Sequence, residues 1–394
     1  MQLANGRPPF KALFANQFRM LLILFVTCGV FLLLHNTVGG FRDPSFIQME
    51  QFPKKIWQSW KVDALRFEDR DTERAISWTT KNLAHRYEVL TDDSAMTYVE
   101  QFYGPTGLNR PDIVYTYRSL NSIRIIQSDL LRYLIMYAEG GVWADIDVEA
   151  VRSIEHFVPK RFNERDVNMV IGIETDEPGF KDHPFLGSKA QSFCQWTFMC
   201  KPRLPVMMRL INNILLWLNN LSQKQGVPIS ELQLDFDEVL SGTGPSAFTT
   251  AILAEMSVTE GEEVTWEPFH DLEESRAVGG VLVLPSEAFA AGTGHSDSGN
   301  HGGRAALVMH HFHASSWPTQ HPRYKHPVYG EVEKCNWDPE CVALWDTNTA
   351  FFESLPEEDQ LRMIAIKDQD DAKARKKEEA VDPRLALHPG LVRR

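Results

Sequence analysis

The sequence has 394 residues, of which 43% are hydrophobic and 24% are charged, so most of the chain can bury a core. Its formal net charge of −13 at pH 7 argues against a nucleic-acid partner, which would require a basic surface. The 10 tryptophans and 9 tyrosines offer flat apolar faces that suit a neutral carbohydrate ligand. We therefore expect a globular protein that does not bind nucleic acid.

The N-terminal segment has the pattern of a membrane-targeting sequence. Residues 1–19 contain basic but no acidic side chains, and the apolar run that begins at Met20 extends to Val38. Its most apolar part, residues 20–34, is short against the roughly 20 residues that span an ordinary bilayer, so a cleaved signal peptide is the alternative. We expect a signal-anchor transmembrane helix over residues 20–38, with residues 1–19 in the cytosol and the rest of the chain in the lumen.

The remaining chain divides by composition. We expect residues 39–51 to form a stem, residues 52–354 one folded domain, and residues 355–394 a charged tail with a short helix followed by disorder. Within the domain, helical patterns begin near Thr91 and Pro205 and alternate with strand-like segments. The strand-like segments are 52–60, 87–90, 168–174, 192–199 and 279–285. This alternation predicts an α/β fold, in which ligands bind at the carboxyl ends of the strands.

Residues 128–148 place two carboxylates where no structural need is evident. The first residue, a serine, is a favourable N-cap for a helix with apolar residues at the helical period, and a Gly-Gly pair ends it. From Val142 the polarity alternates as in a strand, which directs Asp145 and Asp147 to the same side of the strand end. Two such carboxylates repel each other unless a cation lies between them, so we predict a divalent-metal site. A solvated strand end is the alternative.

The cysteines of the folded domain divide into two pairs. Cys335 and Cys341 enclose an Asp-Pro turn, which lets their sulfurs approach, so we predict a disulfide. Cys194 and Cys200 flank a strand-like segment that would hold them too far apart, and we expect buried thiols or separate partners.

The domain also contains several short motifs. They are Pro-Lys-x-Ile-x-Gln-x-Trp from Pro53, Ser-Asp-x-x-Arg-Tyr from Ser128, Gly-Gly-Val-Trp from Gly140, Asp-x-Asp from Asp145, Thr-Gly-Pro from Thr243, and His-His followed by Ser-Trp from His310. Together these motifs resemble the glycosyltransferases with an Asp-x-Asp motif that include the fungal α-1,6-mannosyltransferases, glycosyltransferase family 32. The resemblance implies a single GT-A-like nucleotide-sugar-binding domain of the α/β class with a mixed central sheet.

The resemblance assigns roles to individual residues. Asp145 and Asp147 are expected to hold Mn²⁺, or another divalent cation, against the diphosphate of the donor. Asp129 and Arg132 are expected to contact the donor sugar, with a local ion pair between them as the alternative. Trp60 is expected near the nucleotide base, with a position in the core as the alternative.

A histidine from the segment 310–313 completes the metal shell in related enzymes. Strand alternation places His311 and His313 on one face and His310 with Phe312 on the other. We expect His311 to be the ligand, with His313 as its substitute, although the spacing does not exclude His310.

By resemblance, the chain is a metal-dependent α-mannosyltransferase of the Golgi membrane, single-pass and type II, with a lumenal catalytic domain. It would move mannose from GDP-mannose to an N-linked oligomannose glycan, forming an α-1,6 linkage with retention, and a mannosyltransferase complex is a further partner. Glu174 and Asp176 could bind hydroxyls of the acceptor, but we expect a solvated loop there. The alternatives are an inositol-phosphoceramide acceptor and a non-catalytic, lectin-like lumenal protein.

Overall fold

A computed structural model describes residues 51–292, 303–313 and 317–381. The predicted cytosolic tail and membrane anchor lie outside the described residues, as do the stem up to residue 50 and the end of the tail from residue 382. Within the described ranges, no helix is both long and apolar enough to cross a membrane.

Strands and helices alternate through the domain. The strands are β1 (Lys55–Trp60), β2 (Arg86–Thr91), β3 (Gly141–Ala144), β4 (Val148–Ala150), β5 (Met169–Asp176), β6 (Gln191–Phe193), β7 (Thr197–Cys200), β8 (Arg276–Val278), β9 (Val281–Leu284) and β10 (Val308–His310). The helices are α1 (Asp69–Lys81), α2 (Asp92–Tyr103), α3 (Pro111–Ser119), α4 (Arg124–Ala138), α5 (Pro205–Gln225), α6 (Phe236–Gly242), α7 (Pro245–Glu260), α8 (Ser286–Ala290), α9 (Trp317–Gln320), α10 (Pro339–Ser354) and α11 (Glu357–Val381).

The central sheet is mixed, as predicted. Its strand order is β2-β1-β3-β7-β5-β9-β8, with β6 beside β5. Strand β1 is parallel to β2 and β3, β7 is antiparallel to β3 and β5, and β5 is parallel to β9. The carboxyl ends of β2, β1, β3 and β5 therefore meet at one edge of the sheet, where the amino end of β7 also lies.

Apolar side chains cover both faces of this sheet. Trp57 and Trp143 lie in a core with α4, α5 and α7, whereas their strand neighbours Ile56 and Val142 pack on the other side with Trp78 of α1. This opposite orientation of successive residues is the period-two pattern of a strand. Helix α4 is buried along almost its whole length, which fixes the residues that it presents at the sheet edge.

The segment 128–148 differs in detail from the prediction. Helix α4 begins at Arg124, one turn before Ser128. The Gly-Gly pair then turns the chain into β3 with φ of 64° at Gly140 and 101° at Gly141, and a Cβ at Gly141 would lie 2.6 Å from the carbonyl oxygen of Lys55. Only glycine suits this backbone conformation and this close approach.

Strand β3 ends at Ala144, and residues 145–147 form a turn before β4. The prediction that Asp145 and Asp147 project from one continuous strand was therefore wrong. The turn still buries Ile146, which is 2% exposed. For this reason the alternation of apolar residues continues through the turn and imitates a longer strand.

The cysteine predictions are confirmed. Cys335 and Cys341 form a disulfide, and Cys194 and Cys200 are buried free thiols. The segment 192–199 is not one strand, because β6 pairs with β5 and the chain then bends before β7 pairs with both β3 and β5.

The C-terminal segment is more helical than predicted. We expected a short helix followed by disorder after residue 354, but α11 continues from Glu357 to Val381. An acidic first turn and the ion pairs Lys367–Asp371 and Asp370–Lys373, at helical spacing, favour this helix.

Candidate active site

A cleft of about 590 Å³ opens at the edge of the sheet where the strand ends meet. The order of the strands places the lining residues side by side: Thr91 from β2, Trp60 from β1, Asp145 after β3, Trp196 before β7 and Glu174 on β5. Asp129 and Arg132 of α4 and Asp147 also line this cleft. The structure therefore brings together five of the predicted site residues: Trp60, Asp129, Arg132, Asp145 and Asp147.

Arg132 joins two of the cleft carboxylates. Its Nη1 donates to Oδ1 of Asp129 at 2.7 Å, and its Nη2 donates to both oxygens of Asp145 at 2.9 and 3.1 Å. Asp145 also accepts a 2.7 Å hydrogen bond from Nε1 of Trp143. The ion pair between Asp129 and Arg132, our alternative interpretation, is thus present within the predicted donor site.

Burial gives this network its electrostatic character. Asp129 is 2% exposed and Arg132 4% exposed. Burial raises the pKa of the Asp129 carboxyl, while the Arg132 guanidinium and the Thr243 hydroxyl oppose that shift. The pKa of Arg132 is raised by Asp145 and Asp129 against the effect of burial, so the guanidinium stays charged. A buried cation of this kind fixes the position of the carboxylates around it.

Thr243 extends the network to α7. Its hydroxyl donates to Oδ2 of Asp129 at 2.7 Å, and its carbonyl oxygen accepts a 2.7 Å hydrogen bond from the hydroxyl of Tyr133. The Thr-Gly-Pro motif therefore ties the start of α7 to the carboxylate of α4. The sequence shows this motif as part of the family resemblance, but it does not identify Thr243 as a partner of Asp129.

Asp147 and His310 form the second polar group in the cleft. His310 Nε2 lies 3.3 Å from Oδ1 of Asp147, and the backbone N–H of His313 donates to Oδ2 of Asp147 at 2.9 Å. The Nδ1 atom of His310 is buried without a hydrogen-bond partner among the described residues. As a set, the carboxylates of Asp145 and Asp147 with the imidazole of His310 are oxygen-rich, which would suit Mn²⁺ or Mg²⁺ better than a structural zinc. Among the described residues, these three are not a group whose ligand atoms all lie within 4.8 Å of one another.

His311, the expected metal ligand, is not among the residues that line the cleft. Strand β10 ends at His310, so residues 311–313 do not continue the predicted strand. The side chains of His311 and His313 contact residues that do not line the cleft. Nδ1 of His311 accepts from Arg74 at 3.1 Å and its Nε2 contacts Glu149 at 3.0 Å, while Nε2 of His313 contacts Asp71 at 3.0 Å. The sequence pattern could not show which of these histidines borders the carboxylates.

Trp60 lines the cleft, and its contact with a nucleotide base stays a prediction. It is the last residue of β1, next to the end of β2, and the ammonium group of Lys61 lies 5.0 Å from the centre of its ring. A ring at the carboxyl end of a parallel strand pair has the position expected for a contact with a nucleotide base.

Glu174 lies in the cleft wall, so the expectation of a solvated loop was wrong for this residue. It belongs to β5, it is half-buried, and its Oε2 accepts a 3.2 Å hydrogen bond from Ser192. Burial raises the pKa of its carboxyl to about 8. The sequence shows an acidic strand end, but it does not show that neighbouring strands cover it.

Asp176 is part of a separate cluster with His270 and Asp271. Its Oδ1 accepts hydrogen bonds from Trp266 at 2.6 Å and His270 at 3.1 Å, and its Oδ2 accepts from the backbone of Asp271 at 2.7 Å. Asp176, His270 and Asp271 are of residue types that can bind a metal, and in the described part of the chain their ligand atoms lie within 4.8 Å of one another. The cluster does not include residues of the cleft, and its hydrogen bonds already account for the geometry.

The chain matches a known family over part of its length. Residues 68–164 match the family described as "Glycosyltransferase sugar-binding region containing DXD motif". This range contains Asp129, Arg132, Asp145 and Asp147, but it does not contain Trp60, Glu174 or His310.

The chain is also similar to curated fungal proteins. It is 29% identical over 269 residues to the "Initiation-specific alpha-1,6-mannosyltransferase" of Schizosaccharomyces pombe, covering 67% of this chain and 63% of that protein. It is 28% identical to the protein of the same name from Candida albicans, covering 68% of this chain and 73% of that protein. The match therefore spans less than two thirds of the S. pombe protein.

Among solved structures, the PaToxG glycosyltransferase aligns with a TM-score of 0.36 and 17% identity, covering 53% of this chain and 72% of that chain. The ligand-free glycosyltransferase domain of the YGT toxin aligns with a TM-score of 0.32 and 10% identity, covering 54% of this chain and 79% of that chain. These likenesses are too weak to carry an assignment. The sequence matches, together with the Asp-x-Asp motif in the cleft, confirm that the chain resembles the fungal initiation-specific α-1,6-mannosyltransferases, within the glycosyltransferases whose sugar-binding region contains a DXD motif.

Proposed function

We propose that this protein is a retaining α-1,6-mannosyltransferase that moves mannose from GDP-mannose to an N-linked oligomannose glycan. The observation that carries the proposal is the buried guanidinium of Arg132, held between Asp129 and Asp145 in a cleft at the carboxyl ends of the strands. The names of the fungal relatives supply the sugar and the linkage. In the reaction, the bond between the anomeric carbon and the diphosphate breaks, a glycosidic bond to an acceptor hydroxyl forms, and GDP and a proton leave.

The order of residues along the sheet edge suggests how the donor lies. Trp60, at the end of β1, is suited to the guanine base, and Asp145 and Asp147, which follow the neighbouring β3, are suited to the diphosphate. A divalent cation, for which we propose Mn²⁺, would be held by Asp145 and Asp147 with His310, and would neutralise charge on the departing diphosphate. Arg132 is too buried to be mainly a sugar ligand, and we infer that it orients Asp145 while Asp129 anchors it.

The disulfide supports a lumenal location. Such bonds form and persist in oxidising compartments, and Cys335–Cys341 joins the segment before α10 to the first turn of α10. Together with the apolar segment at residues 20–38, it favours a single-pass type II protein of the Golgi membrane whose catalytic domain faces the lumen.

The test uses the full-length chain, purified in detergent, with GDP-mannose, GDP-fucose, UDP-glucose and UDP-galactose. We expect a gain of one mannose on a Man₈-type N-glycan, detected by mass, with GDP-mannose alone. Chelator should abolish the transfer, and Mn²⁺ should restore it better than Zn²⁺ does. Transfer of another sugar would contradict the donor assignment, and full activity in excess chelator would contradict the metal assignment.

A matched pair of variants connects this activity to the cleft. Asp147→Asn should lose transfer, whereas Asp112→Asn, which alters an exposed ion pair with Arg110, should keep it. Equal activity of the two variants would show that the cleft is not the reaction site.

A further inference from the structure

One end of the cleft is not used by the proposed donor. In the sheet, β7 and β5 follow β3 on the side away from β1, so Trp196 and Glu174 lie beyond Asp145 as seen from Trp60. At about 4.8 Å per strand, Glu174 lies roughly 10 Å past the end of β3. A donor with its base at Trp60 and its diphosphate near Asp145 leaves this end open.

An exposed aromatic side chain borders this end. Phe312 is 61% exposed, although it lines the cleft, and its backbone adopts a φ of 50°, which is unfavourable for a bulky residue. Its ring contacts His310 and Trp196, with centroid distances of 3.9 and 5.7 Å. His310 in turn stacks on Trp196 at 4.6 Å. The surrounding structure thus fixes Phe312 with one apolar face open, which suits the C–H face of a sugar ring.

Glu174 supplies a polar group on the same wall. Its pKa of about 8, raised by burial, keeps the carboxyl mostly protonated at neutral and mildly acidic pH, and Ser192 occupies only Oε2. The neighbouring titratable group is the Cys194 thiol, whose own pKa is raised well above its usual value by burial, so it stays neutral. The charged or titratable groups elsewhere in the cleft are Lys61, Asp92, Tyr117, Arg124, Asp129, Arg132, Asp145, Asp147 and His310. A protonated carboxyl can donate a hydrogen bond to a hydroxyl oxygen without adding a charge.

We propose that the end of the cleft bordered by Glu174, Trp196 and Phe312 binds the accepting sugar, a neutral hexose whose ring packs on Phe312 and whose hydroxyl is hydrogen bonded by Glu174. This assignment rests on the proposed transfer reaction and adds the acceptor subsite to it. It makes Glu174 and Phe312 determinants of acceptor binding, separate from the donor residues at Trp60 and Asp145.

The test compares Glu174→Ala, Glu174→Gln and Phe312→Ala with the wild type in the full-length protein. We measure the KM for a mannose-terminated acceptor, the KM for GDP-mannose, and the hydrolysis of GDP-mannose without acceptor. Glu174→Ala and Phe312→Ala should each raise the acceptor KM by about tenfold, the loss of one good contact, while the donor KM and hydrolysis stay near wild type. Glu174→Gln should behave nearly as wild type, because its amide also donates a hydrogen bond.

Two matched controls lie outside the cleft. Glu100→Gln changes an exposed ion pair with Arg118, and Phe351→Ala removes another exposed phenylalanine, on α10. Both should leave the acceptor KM unchanged. With wild-type protein, the acceptor KM should also rise as the pH passes about 8, where Glu174 loses its proton, and this rise should be absent in Glu174→Gln.

Two outcomes would overturn the inference, and a third would overturn the proposed function on which it rests. An unchanged acceptor KM in Glu174→Ala and Phe312→Ala would show that the acceptor binds elsewhere. A loss of kcat in Glu174→Gln as large as in Glu174→Ala would mean that Glu174 accepts a proton and is not a neutral hydrogen-bonding group. A wild-type protein that does not cleave GDP-mannose would overturn the proposed function itself, and this is seen before any variant is measured.

Discussion

Arg132 links α4 to the turn that follows β3. Its two terminal nitrogens point to different carboxylates, Asp129 within the helix and Asp145 in the turn. A lysine ammonium is a single point charge and cannot contact both groups in this planar geometry. The guanidinium therefore sets the orientation of Asp145, and not only the charge of the cleft.

We predict that Arg132→Lys folds but loses turnover by about 100-fold, because Asp145 is no longer held in place. The measurements are kcat for mannose transfer and the melting temperature. Arg118→Lys is the control, since Arg118 pairs with Glu100 at the surface. Wild-type turnover in Arg132→Lys would show that Arg132 serves the stability of α4 alone.

The neighbouring histidines at the end of β10 permit a second test at this scale. His310 faces Asp147 in the cleft, whereas His311 contacts Arg74 and Glu149 outside it. We predict that His310→Ala weakens Mn²⁺ binding by roughly tenfold or more and that His311→Ala does not, as the loss of a ligand lowers metal affinity. Titration of the purified protein with Mn²⁺, followed by electron paramagnetic resonance, measures the affinity without any assay of activity. Equal affinities would remove His310 from the metal site.

Thr243 connects two elements of the cleft, the start of α7 and the middle of α4. Its hydroxyl is one of the two side-chain donors to the buried carboxylate of Asp129. Thr243→Val keeps the shape but removes this donor, so we expect the free energy of unfolding to fall by about 1–3 kcal/mol, the cost of an unsatisfied buried acceptor. Denaturant unfolding measures the change.

The control for this prediction is Thr250→Val, further along α7. Thr250 is exposed and its hydroxyl bonds only to a carbonyl oxygen of its own helix. A loss of stability confined to Thr243→Val would confirm that the contact with Asp129 matters. Similar losses in both variants would attribute the effect to the helix.

At the level of elements, hydrophobic periodicity predicted the positions of those strands and helices that bury one continuous face or run of residues. Strands β1, β2, β5 and β9 and helix α5 lie within a few residues of their predicted positions, because each buries one continuous face or run. The turn at residues 145–147 was missed because Ile146 remains buried and continues the pattern of a strand. The positions of Glu174 and His310 were missed for a different reason, since they depend on which strands become neighbours.

The sheet order also explains which site residues the sequence could identify. The family motifs in residues 128–148 contain Asp129, Arg132, Asp145 and Asp147. Because these residues are close together in the chain, the resemblance was sufficient to predict that they share one site. Trp60, Glu174 and His310 are far apart in sequence. The central sheet brings Trp60 and Glu174 to one edge, and the pairing of β10 with β4 in a separate two-stranded sheet brings His310 to the cleft.

For the whole molecule, the charge of the cleft bears on the class of acceptor. The chain has a net charge of −13, and the cleft is lined by four aspartates, Asp92, Asp129, Asp145 and Asp147, and by three cations, Lys61, Arg124 and Arg132. The proposed donor would bring a diphosphate into this site, and a phosphate on the acceptor would place a further like charge beside it. An acceptor without charge avoids this cost.

We therefore predict that the full-length protein in detergent transfers mannose at least about tenfold more efficiently to a Man₈-type N-glycan than to inositol-phosphoceramide. The reason is that bringing two like charges together costs over about 1 kcal/mol, even near a protein surface. The measurement is kcat/KM for each acceptor in the same micelles, with dodecyl mannoside as a neutral acceptor that is also held in the micelle. Good transfer to dodecyl mannoside and poor transfer to inositol-phosphoceramide would assign the preference to charge and not to the distance of the acceptor from the micelle surface. Preferred transfer to inositol-phosphoceramide would contradict the N-glycan assignment, while the proposed roles of Asp145 and Asp147 in donor binding could still hold.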